Sequence, residues 1–289
     1  MANRHFAKIA DVWKHLPLVE ILSIERPGRY WESHAGSAAY AISDDAERRY
    51  GALRFFDVAP SVPPLASSRY LGHLRALNPS GAVDLYPGSS LLAMRELGTD
   101  CSYVFCDLDP DSVEDLEEWA TRLVVDASVV ATDGTAALYE KVVAADDARD
   151  VFVHVDPYNP WLAGPAGVCA LDLAAAIVGR GCGLMYWYGY DCPDYRAWAF
   201  EDLAARANGT SLWCGDIMVE SRDGSVSSDG DLGIATTPGT GFGIVTANVS
   251  RPAVVACESL GAALSAAYAD APLPDGTPGR LDFITRTSA

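Results

Sequence analysis

Positive charge is scarce in this chain. Only 21 Lys and Arg stand against 39 Asp and Glu, for a formal net charge of −18. Binding a nucleic-acid backbone draws on clustered Lys and Arg, so this balance disfavours nucleic acid as a partner. Long apolar runs are missing as well. No segment reaches the eighteen or so residues that span a bilayer, and the opening "MANRHFAKIADVWKH" lacks an unbroken apolar core of the secretory kind. The expectation is a cytoplasmic protein with no membrane partner. Paired cysteines are also lacking. The seven, at Cys101, Cys106, Cys169, Cys182, Cys192, Cys214 and Cys257, are odd in number and form no CxxC pair. That argues against a zinc site or a disulfide framework, and for reduced thiols. Neither an internal repeat nor a low-complexity tract is found.

What is present is ordinary for a globular enzyme: 289 residues, 49% apolar and 21% charged, enough to bury a sizeable core. Short apolar segments rich in β-branched and aromatic residues predict strands at 29–34, 102–109, 128–133, 151–157, 183–190, 211–220 and 242–249. Helical patterns lie between them at 111–123, 134–145, 167–180 and 195–208. The first of these opens on acids, which suits the positive end of a helix, and the third stops before Gly181. Strands that alternate with helices predict one doubly wound α/β domain over 1–289. Residues 43–83 interrupt the alternation with the Pro-rich "VAPSVPPLASS", and they predict an inserted helical subdomain. The polar, Gly-rich stretch 221–233 predicts a loop before the last of these strands.

Doubly wound sheets bind ligands at the carboxyl ends of their strands. The first strand delivers Glu32-Ser33-His34-Ala35-Gly36, whose small residues let backbone approach a ligand. The second delivers Asp107, an acid able to hold a ribose diol. The third delivers Asp133-Gly134, where the acid can accept from an adenine amine. The fourth delivers Asp156-Pro157-Tyr158-Asn159. Together these groups are shaped for a nucleoside. Seven such strands are also the count of the class I fold that binds S-adenosylmethionine (SAM), a Rossmann-like architecture.

At these residues the chain resembles the J family of ribosomal large-subunit methyltransferases. These SAM-dependent enzymes methylate the exocyclic amine of an adenine in 23S rRNA. "HFAKIADVWKH" resembles the family's opening His-Ala-Gly-Asn-His-Ala-Asp-Val-Leu-Lys-His. "YWESHAG" resembles Tyr-Leu-Asp-Thr-His-Ala-Gly, "LYPGSSLLA" resembles Tyr-Tyr-Pro-Gly-Ser-Pro, and "ATDG" and "HVDP" follow in order. Carried over residue by residue, the resemblance implies that His15, His34, Ser89, Asp107, Asp133 and Gly134 contact SAM. Lys14 lies beside the first of these, and Gly36 closes the His-Ala-Gly block. It implies that Asp156 and a loop carbonyl accept hydrogen bonds from the target amine and orient its lone pair. No metal is implied.

The resemblance has departures. The family loop reads Asp-Pro-Pro-Tyr, and its Tyr stacks on the base. Here Asn159 stands in that place, with Tyr158 displaced by one. The family's first residues, which carry an RNA-contacting Tyr, have no counterpart at the start of this sequence. With the acid excess, these departures favour a small-molecule substrate and methyl transfer to its amine nitrogen. Asp156, Tyr158 and Asn159 would be the catalytic group. Tyr158, Asn159, Trp187 and Tyr188, with Tyr186 nearby, would wall a pocket beneath 43–83 and 221–233. Three alternatives stay open: SAM cyclisation without methyl transfer, rRNA adenine methylation, and an idle SAM-binding or partner-binding protein. Nothing in the sequence sets the oligomeric state.

Overall fold

The computed structural model describes residues 6–145, 148, 150–221, 236–273 and 276–288. The chain opens with α1 (Ile9–Glu25), β1 (Arg29–Glu32) and β2 (Ala39–Ala41). Short helices α2 (Ala46–Arg48), α3 (Arg54–Val58), α4 (Pro63–Ala66) and α5 (Arg69–Leu77) lead to β3 (Leu85–Pro87), which pairs with β2. Alternation then sets in: α6 (Ser89–Leu97), β4 (Ser102–Asp107), α7 (Pro110–Leu123), β5 (Asp126–Ala131), α8 (Gly134–Ala144) and β6 (Val151–Val155). It continues through α9 (Ala170–Gly179), β7 (Gly183–Tyr190), α10 (Trp198–Arg206), β8 (Leu212–Ser221), β9 (Gly241–Ala247), α11 (Arg251–Ala267) and β10 (Gly279–Thr287).

Among the described residues, the main sheet holds eight strands in the order β10-β8-β9-β7-β6-β1-β4-β5. The seven strands expected from sequence are all there. The eighth, β10, pairs antiparallel with β8 at the edge. Its pattern "GRLDFITRT" alternates apolar with charged residues, as a half-solvated edge strand does. From β1 the chain winds outward through β4 to β5, then returns to β6 on the other side of β1. The parallel pairs β1–β4 and β1–β6 therefore flank the switch point. Strand β6, "VFVHV", is buried along its whole length, as a central parallel strand must be.

Two apolar layers cover the sheet. One joins Trp13, Leu16 and Leu22 of α1 to Leu71 of α5, Leu92 of α6, Leu116 of α7 and Leu264 of α11. The other joins Leu138 of α8, Ile177 of α9 and Leu203 of α10 to Val153, Tyr186 and Tyr188. Helix α1 is buried nearly all round because it lies between the sheet and α5, α6 and α11. This burial carries Asp11, Lys14 and His15 into the interior. The loop after β1 is tied down by Asp115 of α7, whose Oδ2 accepts from the amides of Ala38 (2.7 Å) and Ala39 (3.2 Å). No helix among the described residues is long and apolar enough to cross a membrane. Most of 221–233, the loop expected to help roof the site, lies outside the described residues.

Candidate active site

The ends of β1, β4, β5 and β6 meet α1 and the start of α6 around one cleft. Lys14, His15, His34, Gly36, Ser89 and Asp156 all line it, together with Phe6, Asp11, Tyr40 and Tyr86. The structure thus brings together six of the residues singled out from sequence. Asp107 and Asp133 sit beside them at the ends of their strands.

Lys14 occupies the middle. Its Nζ donates to Asp156 Oδ2 at 2.6 Å and lies 3.2 Å from Asp11 Oδ1. Asp11 also caps α1 by accepting from the Lys8 amide at 3.1 Å, so helix start and ion pair share one carboxylate. Burial works against all three charges. For Lys14 the pull of Asp156 and Asp11 overcomes that cost and holds the ammonium well above its ordinary range. Burial raises Asp156, yet Lys14, then His154, bring its carboxyl below the usual value. Asp11 ends above its usual value because burial, with the like charge of Asp156, outweighs Lys14.

Both histidines of the cleft are neutral imidazoles near pH 7. Burial drives His15 well below the ordinary value, and Lys14 pushes the same way. The Tyr70 hydroxyl donates to Tyr86 Oη at 2.9 Å, and Tyr86 in turn donates to His15 Nδ1 at 2.9 Å. That chain leaves the hydrogen of His15 on Nε2, which is buried without a partner. Burial lowers His34 too, against the opposing pull of Asp156, Asp107 and Asp133. Its Nδ1 lies 2.8 Å from Ser33 Oγ.

Asp107 is held by two backbone amides. Gly36 donates to Oδ2 and Asp109 to Oδ1, each at 2.8 Å. Each carboxylate oxygen keeps a further lone pair for a ligand hydroxyl. Gly36 has a positive φ of +57°, and a Cβ there would lie 2.4 Å from the Tyr40 hydroxyl. Asp133 caps α8 by accepting from the Thr135 amide at 3.0 Å. Gly134 packs so tightly that a Cβ would lie 1.9 Å from the Ser33 carbonyl oxygen. Gly134 lets the loops after β1 and β5 close on each other.

Sequence reasoning missed the centre of the polar floor. Glu32, fully buried at the end of β1, accepts from Ser89 Oγ, from Tyr30 Oη at 3.1 Å and from His154 Nδ1 at 2.8 Å. Glu32 and His154 are register partners on adjacent parallel strands, which puts their side chains on one face. A His between two Val residues of a buried strand was the available signal.

The substrate half differs from expectation. Asn159 does not face the cleft: its Oδ1 accepts from the amides of Trp161 (3.1 Å) and Leu162 (3.2 Å) and so shapes the loop. Tyr158 points to solvent at 89% exposure. Trp187 lies near the cleft, with Lys14 Nζ 5.8 Å from its ring centre. Tyr188 is on the opposite face of β7, because successive strand residues alternate. It is fully buried, and its hydroxyl donates to the Arg196 carbonyl at 3.0 Å. Tyr186 shares that inner layer.

The residues present fit SAM. Asp107 could offer its remaining lone pairs to a ribose, and Asp133 could accept from an adenine amine. His15, which lines the cleft, has its Nε2 buried with no partner among the described residues, and a ligand carboxylate would satisfy it.

Residues 25–163 match the family described as Ribosomal RNA large subunit methyltransferase D, RlmJ. The chain resembles the RlmJ methyltransferases. It is a SAM-dependent transferase, and SAM is its cofactor. The matched stretch spans Glu32, His34, Gly36, Ser89, Asp107, Asp133, Gly134 and the loop from Asp156. No curated protein sequence matches the chain. Among solved structures, protein LPL1258 from Legionella pneumophila, of the family DUF519, shares the fold. Its TM-score is 0.72 at 17% identity, with 99% of each chain covered. Looser overlaps include a probable spermidine synthase from Corynebacterium glutamicum (TM-score 0.42, 10% identity, 93% of this chain and 72% of that one). A precorrin-6y C5,15-methyltransferase from Geobacter metallireducens overlaps similarly (TM-score 0.37, 11% identity, 79% and 86%).

The family match corrects one expectation. A small-molecule substrate with nucleic acid disfavoured does not stand beside a family of ribosomal RNA methyltransferases. The physical reason lies in the argument from charge. A net charge of −18 is a sum over the surface and carries no position, whereas an enzyme that modifies one base needs only a local contact.

Proposed function

We propose that this protein transfers the methyl group of SAM to the exocyclic amine of an adenine in ribosomal RNA. The observation that carries the reading is the RlmJ match over 25–163, which covers the strand ends from Glu32 through the Asp156 loop, though not Lys14 and His15 of α1. Bound SAM supplies an electrophilic methyl carbon. The chain's own residues would do the rest. Asp107 would hold the ribose and Asp133 the adenine amine of the cofactor, while His15 and Ser89 would face its amino-acid end.

Asp156, at the end of β6, is the acceptor for the target amine. It is kept as a carboxylate by Lys14, as its lowered pKa requires. Accepting an N–H turns the nitrogen lone pair toward the methyl, which is catalysis by positioning. Glu32, clamped by Ser89, Tyr30 and His154, fixes the floor beneath. It is a positioning residue rather than a catalytic one. Since the two cleft histidines are neutral, they add no positive charge beside the sulfonium.

The test is direct. Unmodified ribosomal RNA fragments and methyl-labelled SAM are incubated with the protein at low salt, where charge repulsion and attraction both act over the longest range. Label on one adenine, with release of S-adenosylhomocysteine, is the expected result. Turnover of SAM that leaves every RNA unlabelled would refute the reading.

A further inference from the structure

The loop after Asp156 keeps the family's acid but has lost the ring that would lie on the target base. The structure offers a replacement two residues beyond the turn's start. Asn159 Oδ1 accepts from the amides of Trp161 and Leu162, and this turn sets the position of the Trp161 side chain. There it stacks on Trp198 at the start of α10, with ring centroids 3.6 Å apart and planes 29° from parallel. Despite this stack, Trp161 is 55% exposed.

Three observations make this stack a built surface. Trp198 rests edge-on against Tyr188 at 5.6 Å, so the rings continue down to the sheet. Arg196, two residues before Trp198, is pinned from both sides. Its Nε donates to Asp216 Oδ1 at 2.6 Å, and its Nη1 to Asp282 Oδ2 at 2.5 Å. Apolar side chains of the loops after β4 and β6 are also bare, with Leu108 at 73%, Tyr158 at 89% and Leu162 at 71% exposure. An exposed, backed indole costs little further ordering when a flat partner lands on it.

We infer that Trp161, backed by Trp198, is the platform on which an unpaired nucleobase of the RNA substrate stacks. The inference rests on the RNA methyl-transfer reading and adds to it the residue that holds the strand. Stacking also suits this chain's electrostatics. Base–aromatic stacking needs no cation, so it does not depend on where the chain's few basic residues lie. Asn159, where the family has its Tyr, is then a turn former that places a different ring.

The test uses the whole protein, labelled SAM and an RNA fragment that the wild type methylates. Trp161→Ala is expected to raise the KM for RNA roughly 5- to 150-fold, the range for loss of one base–aromatic stack. Trp161→Phe should restore most of it, and calorimetry should find SAM affinity unchanged in both variants. If the wild type methylates RNA and Trp161→Ala keeps the same KM, the platform is refuted while the activity stands. Should the wild type bind SAM but methylate no RNA, the activity and the platform fall together. A rise in KM that Phe does not rescue, with weakened SAM binding, would mean that Trp161 only holds the loop together, and would also overturn the inference.

Discussion

Lys14 Nζ lies 2.6 Å from Asp156 Oδ2, so an ion pair between residues 142 apart in the chain sits at the centre of the site. Removing one partner strands the other. Lys14→Met leaves Asp156 and Asp11 close together and buried without a counter-charge, and should lower folding stability by about 3 kcal/mol. Adding Asp156→Asn to that variant should recover part of the loss, because the stranded charge is gone. Urea unfolding of the two single variants and the double decides it. Strictly additive losses would show that the pair is not coupled.

Asp156→Ala should separate binding from chemistry. Titration with SAM should give nearly the wild-type affinity, while turnover at saturating SAM falls roughly a hundredfold or more, as loss of an orienting group does. A variant with near-normal turnover would remove Asp156 from the acceptor role.

Asp107→Ala should weaken SAM binding by about 1.5–3 kcal/mol, the scale of hydrogen bonds to a charged group. Calorimetry reads it directly. The loss should exceed that of Asp109→Ala, whose backbone amide still holds Asp107 in place.

Glu32→Ala removes the shared acceptor of Ser89, Tyr30 and His154. Since those donors are buried, the variant should lose about 3 kcal/mol of stability, and Glu32→Gln noticeably less. Denaturant midpoints with an unchanged slope would confirm that the native state, and not its compactness, is affected.

Asp216 supplies a pH signature. Burial pushes its carboxyl up to about 6, against the pull of Arg196. The folded value lies above the unfolded one, so its contribution is most favourable at low pH and is lost as pH rises from about 4 to about 6. Asp216→Asn deletes that falling component. Plotted from pH 4 to 6, the stability of the variant should rise more steeply, or fall less steeply, than that of the wild type. Parallel curves would show that the carboxyl titrates normally.

Much of this fold is legible in the sequence because the central strands are short apolar runs with no competing period. The predicted strand at 151–157 contains β6 at Val151–Val155, and the predicted helix at 111–123 is α7 less its first residue. Strand β10 is harder to see, since its alternating charges read as loop until β8 is there to pair with it. In the cofactor half, Lys14, His15, His34, Gly36, Ser89 and Asp156 share one cleft, and each stands in a motif of restricted composition. The substrate half was legible only in part. Period-two alternation already forbids Trp187 and Tyr188 from facing the same pocket. An Asn two residues before a free amide already suggests a turn. What no local pattern carries is the meeting of Glu32 with His154, or of Trp161 with Trp198, because each pair is joined only when distant segments fold together.

The burial of α1 against α11 has a consequence for synthesis. A ribosome delivers Trp13, Leu16 and Leu22 at the outset, but α11 leaves it only after residue 251. Until then the first helix has no cover on that side, and its apolar surface is open to other chains. Contacts so distant in sequence form slowly, and exposed apolar surface in the meantime favours association. Chains that stop before α11 should therefore aggregate rather than fold as smaller enzymes, even though every charged residue of the cleft has already been made.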